Sequence, residues 1–312
     1  MVGSDIPMLT VIIPTADRAS MLRTALQSIA DQTAVAKIDR IIVSENGGTR
    51  KSGEICARFP SLPITHDFRS PAVTPLEHGR MLMNEYPDSD FTAILHDDDW
   101  WAPTHIESAL KALEANPDAA GYGSGNFVVS DESSMLNCNG NLFPWFGASF
   151  PKFAPWWKIA RFDVLLAELL GTLFHYSTTV ARTSALREAT HIFDLGNTFD
   201  NDRMLLFALS ASGPLLFNPT PQAFVRNHGV HQDSFLYDGE AQRRHMCGTT
   251  RWIIESSGQP LDVIVKTFMR RMAQCPKVAV PTLKALAMRE WCIPELKRTS
   301  ARIEEPAELA AA

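Results

Sequence analysis

The amino-acid sequence predicts an α/β protein: a mostly parallel sheet flanked by helices, with a helical extension at the C-terminal end. Two observations carry that expectation. Short β-branched runs alternate with stretches of helical period over residues 1–130, and beyond residue 234 the apolar residues recur at helical spacing alone. The first run, Leu9-Thr10-Val11-Ile12-Ile13, ends at Pro14 and reads as a strand buried on both faces. Leu22, Ala25, Leu26 and Ile29 give an amphipathic helix over residues 18–32. Ile41-Ile42-Val43 is a second strand, closed by Asn46-Gly47-Gly48. A weak helix over 54–59, a strand over 64–68 and a helix over 76–84 follow. Phe91-Thr92-Ala93-Ile94-Leu95 is a fourth strand, running straight into His96-Asp97-Asp98-Asp99. Pro103 then opens a helix with Ile106, Ala109, Leu110 and Leu113 on one face, ended by Asn116-Pro117. Helices between strands imply right-handed βαβ units, whose ligands sit beyond the carboxyl ends of the strands.

The middle of the chain changes character. Residues 143–157 combine Pro144, Gly147, Pro151 and Pro155 with Trp145, Trp156 and Trp157, and read as an ordered aromatic loop. A helix over 162–170, a strand over 177–180, a helix from Asp202 to the Gly213-Pro214 stop, and short strands over 215–217 and 223–225 follow. Three regions result: 1–130 and 131–235, together one body, and the helical extension 236–312. Residues 304–312 read as a frayed tail.

Composition narrows the function. The chain has 312 residues, 45% of them hydrophobic and 21% charged, which excludes a disordered or fibrous protein. A net charge of -6 matches a nucleic-acid backbone poorly, so any phosphate is held locally, by a metal ion or a few arginines. No apolar run reaches the roughly 20 residues that span a bilayer, and the N-terminus lacks a signal-peptide layout. The five cysteines, Cys56, Cys138, Cys247, Cys275 and Cys292, are odd in number and scattered without a C-x-x-C pair, as in a reduced cytoplasmic protein.

Three aspartates directly after a buried strand form a rigid cluster of like charges, and a divalent cation with oxygen ligands relieves their repulsion. The structural alternative is an acidic turn capping the helix after Pro103, with Asp99 bonded to backbone amides. Phe199-Asp200-Asn201-Asp202-Arg203 is a second constellation, at a helix start, where either aspartate could serve as a cap. Arg226-Asn227-His228-Gly229-Val230-His231 is a third, with two histidines in a polar loop. Arg69 and Arg80 lie near the third strand end and the helix after it, where a phosphate contact and a surface ion pair are both open. Trp100 and Trp101 offer either sugar stacking or core packing.

The segments 11–18 (VIIPTADR), 41–49 (IIVSENGGT) and 95–103 (LHDDDWWAP) resemble, in order and spacing, the family 2 glycosyltransferases of the GT-A (Rossmann-like) fold. The resemblance covers residues 8 to about 235. It implies an inverting transferase that moves a sugar from a nucleoside-diphosphate sugar (UDP, dTDP or GDP) to a glycan, lipid-linked or small-molecule acceptor. It implies a donor-binding half over 1–130 and an acceptor half over 131–235. It implies that Pro14, Thr15, Asp17, Arg18, Glu45 and Asn46 line the nucleotide site, Glu45 standing where the family has Asp. The family's D-x-D motif aligns with His96-Asp97-Asp98, so a histidine replaces its first aspartate and the metal, Mn2+ or Mg2+, falls mainly to Asp98. Asp97 and Asp99 are candidate assistants, and Arg69, from its place near the third strand end, is a candidate diphosphate contact. Counting eleven residues back from Gly213 gives Asp202 as the general base, with Asp200 as its rival; His228 matches the family's metal-approaching histidine, with His231 as the alternative. No nucleic-acid partner follows. A cytoplasmic or peripheral inner-membrane location and a homo-oligomer through the C-terminal helices are compatible with the pattern. The alternatives are a metal phosphohydrolase or nucleotidyltransferase built on the aspartates, and a non-catalytic nucleotide-sugar or glycan-binding homologue.

Overall fold

The computed structural model describes residues 8–86, 88–130, 135–139, 155–170, 172–192, 201–227 and 239–274. Asp200, His228, His231, Trp145 and the tail 304–312 lie outside them, as does the side chain of Asp202. The chain begins β1 (Leu9–Thr15), α1 (Ala19–Ala30), β2 (Ile38–Asn46), α2 (Lys51–Cys56), β3 (Ile64–Arg69), α3 (Pro75–Glu85) and β4 (Phe91–Ile94). It continues with β5 (Trp100–Trp101), α4 (His105–Ala115), β6 (Gly121–Ser130), β7 (Met135–Asn139), β8 (Trp157–Ile159) and α5 (Arg161–Leu170). β9 (Val180–Arg182), α6 (Thr183–Ile192), α7 (Asn201–Leu209), β10 (Leu215–Asn227), α8 (Gly239–Ser257) and α9 (Leu261–Gln274) complete it.

The described strands form one sheet in the order β3-β2-β1-β4-β9-β6-β10-β5, with β7 on β6 and β8 on β10. β3, β2, β1 and β4 are mutually parallel, and so are β6 and β10; β9, β5, β7 and β8 run antiparallel to their neighbours. Side chains alternate between two cores. Val11, Ile13, Ile41, Val43, Ala93 and Leu95 pack with α1, α2 and α4, whereas Ile12, Ile42 and Ile94 pack with α3, α5, α6, α7, α8 and α9. A strand with apolar residues on both sides needs helices on both faces, and each half of the β1 run finds its own layer.

The strand order also fixes where a ligand can lie. The chain steps outward from β1 to β2 and β3, then returns across β1 to β4, so the loops leaving β1 and β4 diverge. That divergence is a topological switch point, and the crevice it opens sits at the carboxyl ends of those strands. Thr15 to Arg18 leave β1 there, and His96 to Asp99 leave β4 there.

Several boundaries differ from expectation. The stretch 177–180 is a single 3-10 turn, Tyr176–Thr178, followed by β9. The two short strands expected around 215–217 and 223–225 are one strand, β10, irregular around Pro221. β5, β6, β8 and α6 carry no clear sequence signal. β6 begins Gly121-Tyr122-Gly123-Ser124-Gly125, which reads as a glycine-rich loop. Its glycines answer to packing: a Cβ at Gly123 would fall inside the Phe174 ring, and one at Gly121 would lie 2.7 Å from Leu209.

Candidate active site

The site is assembled from β1, β2, β4 and the turn before β9. Thr15 ends β1, in register with Glu45 on β2. Its hydroxyl donates to Asp97 Oδ2 at 2.6 Å, across 82 residues of sequence. Arg18 donates from Nη1 to Asp98 Oδ2 at 2.6 Å and to Asp97 Oδ1 at 3.3 Å. The two neighbouring carboxylates therefore already face one guanidinium. Burial, and then the Asp98 charge, push the Asp97 carboxyl up to about 6 despite Arg18 and Thr15.

Asp99 turns the other way. It is 2% exposed, accepts from the Ser177 hydroxyl at 2.5 Å on Oδ2, and accepts from the Arg226 backbone N–H at 2.9 Å on Oδ1. His175 Nδ1 stands 3.6 Å and His96 Nδ1 4.0 Å from Asp99 Oδ2. Burial raises the pKa of Asp99, and His175 opposes that rise. The Asp99 N–H closes a turn onto the His96 carbonyl at 3.2 Å, and the His96 N–H donates to the Ser177 hydroxyl at 3.1 Å. His96 stacks on Tyr176 and meets His175 edge-on. Asp99 thus does bond backbone amide, as the structural alternative has it, while one donor atom each of His96, Asp99 and His175 lie within 4.8 Å of one another. Two imidazoles and a carboxylate are a donor set that fits a divalent ion.

The remaining expected residues divide into those at the crevice and those turned away. Pro14 sits half-buried beside Ser44. Asp17 is exposed, with a positive φ of 54°, and accepts from the Thr49 N–H at 2.9 Å and the Thr49 hydroxyl at 3.0 Å. It ties the loop after β1 to the loop after β2, and does not cap α1, whose first turn receives no side-chain cap. Asn46 accepts from the Val73 N–H and donates to the Val73 carbonyl, at 2.9 and 2.8 Å. Glu45 is turned inward and fully buried; its Oε1 accepts from the Arg50 N–H at 3.0 Å and its Oε2 faces His66 Nε2 at 3.3 Å. Arg69 is engaged by Glu85 at 2.6 Å and Asp67 at 3.2 Å, the ion-pair alternative.

Trp101 takes the core role: it is buried, and its Nε1 donates to the Ser177 carbonyl at 2.5 Å. Trp100 is half-buried and stacks on Phe224 at 5.4 Å, with the Arg226 guanidinium over its ring at 5.0 Å. The backbone of Asp202 lies in the first turn of α7. Its neighbour Arg203 is 2% exposed and is the element's anchor: Nη2 donates to the Glu168 carbonyl and, at 3.2 Å, to the Thr250 hydroxyl, and Nε lies 3.7 Å from the Glu168 carboxylate. His175 and Ser177 are neighbours of the aspartate loop that sequence reasoning does not single out, and Arg226 enters from the third constellation through its backbone N–H. The available signal was a polar His-Tyr-Ser-Thr-Thr stretch between two apolar runs.

Residues 10–161 match the family model described as glycosyl transferase family 2. No curated protein sequence matches the chain. Among solved structures, the chain is similar to S. aureus TarS 1–349 in complex with UDP-GlcNAc, at 13% identity and a TM-score of 0.56, covering 90% of this chain and 88% of that one. It is similar to the mannosyltransferase PcManGT from Pyrobaculum calidifontis in complex with GDP-Man and Mn2+, at 16% identity and a TM-score of 0.55, covering 97% and 82%. Against another S. aureus TarS structure it shows 12% identity and a TM-score of 0.54, and spans 49% of that longer chain while 89% of its own length is covered. At these identities the likeness is one of fold, and that fold is GT-A, as the sequence pattern implies.

Proposed function

We propose that this chain, a member of glycosyl transferase family 2 over residues 10–161, transfers a sugar from a nucleoside-diphosphate sugar to an acceptor hydroxyl with inversion at the anomeric carbon. The observation that carries the proposal is the convergence of the β1 and β4 ends, where Thr15 and Arg18 engage the Asp97-Asp98 pair at the switch point of the sheet. A diphosphate fits such a crevice, and UDP, dTDP or GDP would be its nucleoside part; TarS binding UDP-GlcNAc and PcManGT binding GDP-Man support donors of this kind. The loops tied together by Asp17–Thr49 and Asn46–Val73 would wall the nucleoside.

The acceptor would enter from the side of α7. There Asp202, or Asp200 just before it, would take the proton of the acceptor hydroxyl as its oxygen attacks the anomeric carbon. The bond to the diphosphate breaks on the opposite face, and negative charge gathers on the leaving group. A divalent ion, Mn2+ or Mg2+, would be held at the aspartate loop, and when bound it supplies Lewis-acid stabilisation of that charge. The side chains of that loop, with the histidine of the turn before β9, are the groups available to hold it. Arg203 would keep Asp202 in place through its buried pairing with Glu168. No described helix is long and apolar enough to cross a membrane.

The test is Asp202→Asn, followed by both donor binding and turnover. Turnover should fall about 10²–10⁴-fold, while the rise in melting temperature on adding UDP, dTDP or GDP should match that of the parent protein. Unchanged turnover would overturn the base assignment. A parent protein stabilised by no nucleoside diphosphate would overturn the transferase reading.

A further inference from the structure

We propose that His96, Asp99 and His175 form the divalent-metal site of this protein, a two-imidazole, one-carboxylate site selective for first-row transition ions over Mg2+, with Asp97 and Asp98 neutralised instead by Arg18. The proposal rests on the preceding one in a single respect: a sugar-nucleotide transferase uses a cation at this loop.

The aspartate run divides its charge between two partners. Asp97 and Asp98 share the Arg18 guanidinium, at 3.3 and 2.6 Å, and Asp97 also accepts from Thr15. An ion seated on those carboxylates would have to expel a charge-assisted contact or sit beside a fixed positive charge. Asp99 has no such competitor. Its hydrogen-bond donors are a hydroxyl and a backbone N–H, both neutral, and the ring nitrogens of His96 and His175 stand at 4.0 and 3.6 Å.

The geometry is close to that of a ligand set. Tetrahedral metal–nitrogen and metal–oxygen bonds of about 2.1 Å place two ligands about 3.4 Å apart. The histidine-to-Asp99 separations are 4.0 and 3.6 Å, and all three donor atoms lie within 4.8 Å of one another. Closure therefore draws the two rings inward by about an ångström or less each. The tautomer is also set. The Ser177 N–H donates to His175 Nδ1 at 3.2 Å, so Nδ1 is the unprotonated ring nitrogen, and an ion taken up there displaces that hydrogen bond. The rings are oriented by contact, His96 on Tyr176 at 5.1 Å and on His175 at 5.7 Å.

Exposure completes the arrangement. The Asp99 side chain is 2% exposed, whereas those of His96 and His175 are 34% and 25% exposed. An ion held against the buried carboxylate would keep its outward coordination positions for water or a diphosphate oxygen. Imidazole ligands favour Co2+, Zn2+ and Mn2+ over the hard, strongly hydrated Mg2+. The histidine at the first D-x-D position thus relocates the ion from the Asp98 side of the loop to the Asp99 side.

The experiment is titration of metal-stripped full-length protein with CoCl2, followed by calorimetry and by the visible d–d absorption of Co2+, with MgCl2 as the comparison. One ion per chain is expected, with nitrogen-ligand absorption and Mg2+ bound at least about tenfold more weakly. His96→Gln and His175→Asn should each weaken Co2+ binding by at least about tenfold; the amide oxygen in His175→Asn stands where Nδ1 did and keeps an acceptor for the Ser177 N–H, so the turn is preserved. Asp98→Asn should leave Co2+ binding unchanged. Loss of binding in Asp98→Asn with retention in both histidine variants would overturn the proposal and return the ion to Asp98. Absence of stoichiometric Co2+ uptake by a protein whose melting temperature still rises with a nucleoside diphosphate would also overturn it, and would leave the transferase reading standing.

Discussion

His105 occupies the first turn of α4, fully buried between the Trp101 ring at 4.9 Å and the Tyr122 ring at 6.1 Å. Neither of its ring nitrogens finds a hydrogen-bond partner among the described residues. Burial lowers its pKa from 6.5 to about 3, so the imidazole is neutral when folded. The unfolded chain binds a proton near pH 6.5 that the folded chain refuses until about pH 3. Stability from this group is therefore complete above pH 6.5 and is lost progressively as pH falls through that window. His78, bonded to Ser44 and lowered to about 4 chiefly by burial, acts in the same direction. His105→Phe removes two unpaired buried nitrogens while keeping a ring between its aromatic neighbours. It should raise unfolding free energy by about 1–3 kcal/mol at pH 7.5, and by more at pH 5, in urea titrations at the two pH values. An equal change at both would show that the imidazole does not carry the acid sensitivity. At this scale the sequence announces chemistry better than geometry. Asp97, Asp98 and Asp99 are conspicuous as three carboxylates after a strand, yet nothing local says that Asp97 and Asp98 turn to Arg18 and Asp99 to His175. Those partners lie 79 or more and 76 positions away, and are brought in by strand order.

Among the elements, α7 is tied to its neighbours by a buried charged pair as well as by its apolar face. Arg203 reaches Glu168 of α5 and Thr250 of α8, and the Glu168 carboxylate also accepts from the Leu173 N–H at 3.0 Å, so one pair joins three helices and the turn after α5. Arg203→Met would remove a buried cation from beside the Glu168 carboxylate, and should cost about 3–5 kcal/mol. Adding Glu168→Gln, which removes the charge but keeps an oxygen for Leu173, should recover most of that loss in the urea midpoint. A double variant no better than the single one would show that volume, not charge, sets the cost. The elements legible in advance are those whose residues carry their own period: β1, α1, β2, α3, β4 and α4 lie within a few residues of expectation. Those that escaped owe their form to distant neighbours. Gly121 and Gly123 sit in β6 because Leu209 and Phe174 press on the backbone there. Pro221 interrupts β10 without ending it, since β6 pairs with it on either side of the irregularity. Trp100-Trp101 becomes β5 only by pairing with Phe224 and Ala223.

At the scale of the whole molecule, the sheet is the shared wall of two cores, and adjacent residues of one strand belong to opposite ones. Val11 and Ile13 pack toward Leu26 of α1, and Ile12 packs in the core that holds Ile253 of α8 and Ile264 and Phe268 of α9. Phe268 is 1% exposed, so the helices after residue 238 bury against the same wall as α7. A core on one face cannot loosen without freeing the backbone that the other face uses, which predicts a single cooperative transition. Phe268→Ala should cost about 3–5 kcal/mol and Leu26→Ala about 2–5 kcal/mol. Each should move one common melting transition, monitored both by far-ultraviolet circular dichroism and by tryptophan fluorescence, because the helices and the buried tryptophans of both cores, Trp101 and Trp157, would be lost together. A Phe268→Ala protein that melts in two steps, with part of the helical signal lost in the first and the rest in the second, would make residues 236–312 a separate unit. Otherwise the crevice at β1 and β4 and the start of α7 belong to one folding unit, and damage to α9 reaches both.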